Sequence, residues 1–250
     1  MSSNTIIETR ELTKKYGHQT AVDMLTFSVD EGEIFGFLGP NGAGKTTTLL
    51  MLLGLTEPTA GSARVLGVDP TREPIKVKTK IGYLQENMGF YSDLNAIQML
   101  QFVGELNGVT GELAKARIDG ALQAVGLFDE AEKKIGAYSR GMRQRLGIAE
   151  LLIKDSRVAF LDEPTLGLDP DATNRMIELI QSLSRDKQMT ILLSSHMLHQ
   201  VQKICHRIGI MIKGRMVAQG PMETLAQEKF GVGSEEYSLE EIYMKYFQEA

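Results

Sequence analysis

The run Gly39-Pro40-Asn41-Gly42-Ala43-Gly44-Lys45-Thr46 constrains this chain more than any other stretch. It fits G-x-x-x-x-G-K-[ST], follows the apolar segment Ile34 to Leu38, and opens a helix-forming segment from Thr46 to Leu55. Strand, glycine loop and helix form one βα unit, which places the chain in the α/β class. Glycines let consecutive backbone N–H groups converge on phosphate oxygens, and the helix N-terminus adds its positive dipole end. In this pattern Lys45 reaches β and γ phosphates, and Thr46 suits a Mg²⁺ ion.

Kinases, GTPases and motor ATPases share such a loop, so the later strands must discriminate among them. Val158 to Leu161 is an apolar strand that ends in Asp162 and Glu163. Carboxylates at the end of a buried strand are costly unless a cation or a reaction uses them. Asp162 suits a Mg²⁺ shell, directly or through water, and Glu163 suits a general base that polarises water. A third apolar strand, Thr190 to Leu193, leads to His196, and a helix from Asp171 to Leu183 lies between the two strands. An Asn-Lys-x-Asp base-reading element, which a GTPase needs, does not occur.

Glu163-Pro164-Thr165 with Gly167-Leu168-Asp169-Pro170 resembles the Walker B extension and D-loop of ABC ATPases. The resemblance runs from about residue 5 to 220 and implies a P-loop NTPase (RecA-like) core with an N-terminal antiparallel β subdomain and an inserted helical subdomain. Gln85, in Gly82-Tyr83-Leu84-Gln85-Glu86, resembles the glutamine that touches Mg²⁺ or the attacking water. His196 resembles the switch histidine of the γ-phosphate, and Tyr16 the aromatic residue that stacks on adenine. Asn41, Gly42, Ala43, Gly44, Lys45, Thr46 and Thr47 are then the nucleotide-binding loop, with Lys45, Gln85, Glu163 and His196 as catalytic groups and Thr46, Gln85 and Asp162 as magnesium ligands.

The family's most common signature, Leu-Ser-Gly-Gly-Gln, is here Tyr138-Ser139-Arg140-Gly141-Met142. Ser139 and Gly141 are kept, the two positions expected to meet the γ-phosphate at a helix N-terminus. Ser139 also suits an N-cap of the helix that follows. Arg140 either adds charge near phosphate or lies in solvent. This form resembles the ABC ATPases paired with export-type permeases. The resemblance implies integral membrane permease subunits and a second ATPase subunit, expected to be a copy of this chain, with ATP bound between the two. The alternative is a non-transport ABC ATPase acting on ribosomes or DNA. Against it stand a single compact cassette without sustained heptads and a net charge of -5, which offers nucleic acid no general attraction.

The chain reads as one ABC ATPase domain over residues 1–250, with a helical insertion at 86–155 and a short helical tail at 221–250. In the tail, Ser238 and Glu241 form a capping box ahead of the stripe Leu239, Ile242, Tyr243, Tyr246 and Phe247. Core packing on the same protomer is favoured for that stripe over a partner surface. No stretch approaches the roughly 18 to 20 apolar residues of a membrane span. The polar start, Met1 to Gly17, lacks a secretory core. The expected place is therefore the cytoplasm, on the inner face of the membrane through the permease. The lone Cys205 forms no intrachain disulfide and reads as a packing residue.

Overall fold

A computed structural model describes residues 4–230 and 238–249. The first three residues of the polar start, and residues 231–237 and Ala250 of the tail, lie outside the described residues. In chain order the elements begin with β1 (Thr5–Tyr16), β2 (Gln19–Asp30), β3 (Ile34–Leu38), α1 (Lys45–Leu52), β4 (Ala60–Val65), α2 (Pro74–Lys78) and β5 (Ile81–Leu84). Three helices follow, α3 (Ala96–Leu106), α4 (Gly111–Ala124) and α5 (Arg140–Ile153). The chain then returns through β6 (Val158–Asp162), α6 (Pro170–Lys187), β7 (Thr190–Ser195), α7 (Leu198–Ile204), β8 (Arg207–Ile212) and β9 (Arg215–Gly220) to α8 (Met222–Phe230) and α9 (Leu239–Glu249).

Two sheets organise these elements. β2, β1 and β4 form an antiparallel sheet, and a six-stranded sheet runs β5-β6-β7-β3-β8-β9, with only β9 antiparallel to its neighbour. The central strands read as unbroken apolar runs because both faces of the large sheet are covered. Alternation within them is still visible in space. Ile34 and Leu38 of β3, with Ala159 and Leu161 of β6, join the core under the helices. Phe35 and Phe37, with Val158 and Phe160, join the core under the antiparallel sheet. There Phe27 of β2 packs on Phe35 and Phe37 with ring centroids 5.6 and 4.9 Å apart, the second pair edge to face.

Strand lengths exceed the apolar runs that announce them. β1 and β2 run 12 residues each, far past their apolar stretches at Ile6–Leu12 and Phe27–Val29, because an antiparallel sheet with one open face accepts polar residues on alternate positions. Helix α1 stops at Leu52 instead of Leu55, since Gly54 adopts φ +62° and a Cβ there would lie 2.4 Å from the Pro70 carbonyl. β4, β5 and β9 are too short or too polar to be read as strands from periodicity, whereas β8 is a buried apolar run as long as β7 that lies outside the motifs above. In the tail, the Ser238–Glu241 capping box forms, and Leu239, Ile242 and Tyr246 are buried while Phe247 is exposed. Cys205 packs its sulfur against Gly36 of β3, and burial pushes its thiol pKa up.

Candidate active site

Strand order decides where the chemistry sits. β3 delivers the glycine loop and β6 delivers Asp162 and Glu163, with β7 lying between them, so all three strands end at one edge of the sheet. The loop is held from behind. The Gly214 N–H, in the β8–β9 turn, donates to the Ala43 carbonyl at 3.0 Å, and a Cβ on Gly44 would meet the Ala21 carbonyl at 2.4 Å. Gly44 also takes φ +101°, which a side chain would strain, so glycine is required there twice over.

Lys45 folds back inside the loop and donates from Nζ to the Gly39 carbonyl at 2.7 Å and the Pro40 carbonyl at 3.3 Å. Its Nζ stands 3.7 Å from Glu163 Oε1, both side chains being buried. Burial draws the Lys45 pKa below the ordinary lysine range, and the Glu163 and Asp162 carboxylates oppose that shift. Thr46 donates from Oγ1 to Asp162 Oδ2 at 3.0 Å. Tyr83 of β5 lies beside the same carboxylate, and its hydroxyl is pushed up to about 12, first by burial and then by Asp162.

Glu163 follows β6 in a left-handed conformation, φ +49°, uncommon for a residue with a side chain. Its carboxylate is buried without a well-directed hydrogen bond to either oxygen, although His196 Nδ1 approaches Oε1 to 3.0 Å. A buried carboxylate left this way is costly to the fold, which fits a group kept for chemistry. His196 is partly exposed at the end of β7. Beyond Glu163, Thr165 donates to Gln200 of α7, tying the loop after β6 to the helix after His196.

A groove of about 310 Å³ runs along this edge, lined by Tyr16, Gln19, Ala21, Asn41 to Thr47, Glu86 and Glu163. Tyr16 is half exposed at its mouth, with Lys14 Nζ 4.9 Å from its ring centroid. Thus Tyr16, the loop, Asp162, Glu163 and His196 come together in one chain. Gln85 is exposed just past β5 and does not line the groove, where its neighbour Glu86 does. Ser139 and Gly141 are also absent from the lining. Ser139 caps α5, its hydroxyl accepting the Met142 N–H at 3.2 Å. Tyr138 is a buried anchor that donates to the Glu130 carbonyl at 2.7 Å. Arg140 lays its guanidinium over Gly167, where a Cβ would be 2.9 Å from Nη1. Neither Glu86 nor Gln19 carries a motif that would single it out in the sequence.

The donors at Asp162 and Thr46 are hard oxygens, one carboxylate and one hydroxyl, the set that suits Mg²⁺ completed by phosphate and water. Among the described residues no cluster of three or more His, Cys, Asp or Glu side chains competes for such an ion.

The ABC transporter family profile matches residues 22–166. The bacitracin transport ATP-binding protein BcrA of Bacillus licheniformis is 41% identical over 222 residues, 89% of this chain and 72% of that protein. The Nod factor export ATP-binding protein I of Ralstonia nicotianae is 37% identical over 231 residues, covering 92% of this chain and 72% of its own. A solved structure of an ATP-binding subunit of an ABC transporter superposes with a TM-score of 0.86 at 28% identity, over 97% of this chain and all of that one.

Proposed function

The chain belongs to the ABC transporter ATP-binding family, and on that footing we propose that it drives a membrane permease of the export type by closing in pairs around ATP. It is an ATPase subunit, and no helix among the described residues is long and apolar enough to cross a membrane. The work on a cargo therefore falls to integral membrane partners, which would hold it at the cytoplasmic face. The export direction draws on relatives named for bacitracin transport and Nod factor export.

One observation carries the catalytic reading: Lys45, Thr46, Asp162, Glu163 and His196 meet at one sheet edge, with Glu163 buried and unsatisfied between Lys45 and His196. A triphosphate entering the loop exchanges the carbonyls of Gly39 and Pro40 for phosphate oxygens as partners of the Lys45 ammonium. Loop N–H groups and the α1 N-terminus meet the same oxygens. Thr46 and Asp162 would hold Mg²⁺, which when bound neutralises phosphate charge. Glu163 accepts a proton from the attacking water, and His196 orients Glu163 and the γ-phosphate. Tyr16 stacks on the adenine. Gln85 leads from the core into the helical arm, residues 86–155, and senses the nucleotide when that arm swings. Ser139 and Gly141 serve the ATP of the second subunit.

Two variants test this. Lys45→Ala abolishes tight ATP binding, whereas Glu163→Gln retains it and loses roughly 100- to 10,000-fold in hydrolysis. Size-exclusion chromatography with Mg-ATP then shows a stable dimer for Glu163→Gln and none for Lys45→Ala. Hydrolysis by Glu163→Gln at the parent rate removes Glu163 as the base.

A further inference from the structure

β7 separates the phosphate-loop strand from the carboxylate strand, and its register sets Ser194 opposite Phe37 on one side and Asp162 on the other. Ser194 is fully buried, the first of two serines that follow the apolar run Ile191 to Leu193 in β7. Its Oγ donates to Asp162 Oδ1 and accepts the backbone N–H of Glu163 at 3.2 Å. The Ser194 carbonyl shares that N–H at 3.1 Å. One residue therefore grips the side chain of the first acid and the backbone of the second.

The neighbouring serine is committed elsewhere, since Ser195 Oγ accepts the Met197 N–H at 2.9 Å where α7 begins. Two further hydroxyls meet Asp162: Thr46 is exposed and would share its oxygen with a cation, and Tyr83 reaches the carboxylate from β5. Among the described residues, Ser194 alone joins the Asp162 carboxylate to the backbone of Glu163, which stands at φ +49°.

We propose that Ser194 is a positioning residue of the ATPase site, aiming Asp162 at the cation and holding Glu163 in the turn that brings its carboxylate to Lys45 and His196. The inference rests on the roles given above to Asp162 and Glu163. A hydroxyl behind a metal-bound carboxylate fixes its rotamer and orients its lone pairs, and loss of such a support costs about 10- to 100-fold in metal affinity or activity.

The test is Ser194→Ala, which deletes the hydroxyl and leaves the Glu163 N–H its bond to the Ser194 carbonyl. In a Glu163→Gln background, where turnover is stopped, calorimetric titration with ATP is run across a series of free Mg²⁺ concentrations. ATP affinity without Mg²⁺ stays within about twofold, while the Mg²⁺ needed for half-maximal enhancement rises about tenfold. With Glu163 intact, kcat falls about tenfold and KM for ATP at saturating Mg²⁺ changes less than about threefold. Ser194→Thr, which keeps the hydroxyl, restores both quantities. Ser184→Ala gauges a purely structural loss, because the buried Ser184 hydroxyl bonds the Gly32 carbonyl at 2.8 Å, away from the site. If Ser194→Ala does not fold, Ser194→Cys, close in size and a weaker donor, carries the same comparison.

Asp162→Asn is measured alongside. If it leaves the Mg²⁺ requirement unchanged, the assignment of Asp162 falls and takes the premise with it. If Asp162→Asn shifts the requirement while Ser194→Ala matches Ser184→Ala, the role given to Ser194 is overturned and the rest of the site stands.

Discussion

Helices α1 and α5 both begin at positions with a reading in ATP chemistry, and they begin in opposite ways. At α1 the N-cap is Gly44, left-handed and with no side chain to cap the helix, so the first-turn N–H donors are kept for a ligand. At α5 the N-cap is Ser139, whose hydroxyl already accepts the Met142 N–H. The first helix start is locked into the core by Gly214 and Ala21, whereas Ser139 and Arg140 are exposed, with Arg140 resting on the loop before α6. An uncapped, braced N-terminus is a standing anion site. A capped and exposed one contributes only when a phosphate is carried to it, which on the function proposed above comes from another subunit.

Subunit mixing breaks or sharpens that contrast most strongly. Lys45→Ala disables the first helix start and Ser139→Arg blocks the second. In a homodimer containing one of each, one site loses both groups and the other keeps both. With Glu163→Gln in every chain to prevent turnover, each variant alone occludes almost no ATP, while an equal mixture after exchange occludes about a quarter of the parent level, one intact site in half the dimers. Occlusion in verified heterodimers no higher than in the separate variants would falsify a site shared between chains.

A smaller effect is expected at Gln85, which joins the two regions. Gln85→Ala keeps ATP affinity within about threefold while stimulation of hydrolysis by the permease falls severalfold. Stimulation at the parent level would place the coupling elsewhere, with Glu86 the nearest residue that does line the groove.

The smallest effect separates the helices by stability. Glu150, in α5, has its carboxyl raised from 4.5 to about 7 by burial. Between those values the native chain binds more protons than the unfolded chain, so Glu150's contribution to stability is full below the lower value and lost as pH rises through the upper one. Glu150→Gln removes that loss and raises unfolding free energy by about 1 to 3 kcal/mol near pH 8, with little change near pH 5. Urea denaturation at the two pH values reads it, and an equal shift at both would assign the effect to packing.

Much of this site was legible residue by residue. Gly39 to Thr46 is a local motif whose neighbours in sequence are its neighbours in space, and Val158 to Asp162 announces buried acids because an apolar run stops at charge. Gly54 ends α1 three residues before Leu55, because a left-handed glycine, not the apolar pattern, sets the stop. The short strands β4, β5 and β9 were not legible, since a few residues of mixed polarity become strands only when a partner edge offers hydrogen bonds.

The sequence by itself determined which groups are proposed to meet ATP, because backbone conformation in the glycine loop and the cost of burying Asp162 and Glu163 are properties of a few adjacent residues. Only the tertiary structure decided who holds whom. Setting β7 between β3 and β6 puts Ser194 on Asp162 across 32 positions, pairing β8 with β3 brings Gly214 to Ala43, and the packing of α5 rests Arg140 on Gly167. A serine at the end of an apolar strand carries no periodicity that reveals its partner. Its place beside Asp162 follows from strand order, which is a property of how segments far apart in sequence pair and cross over, not of any local run.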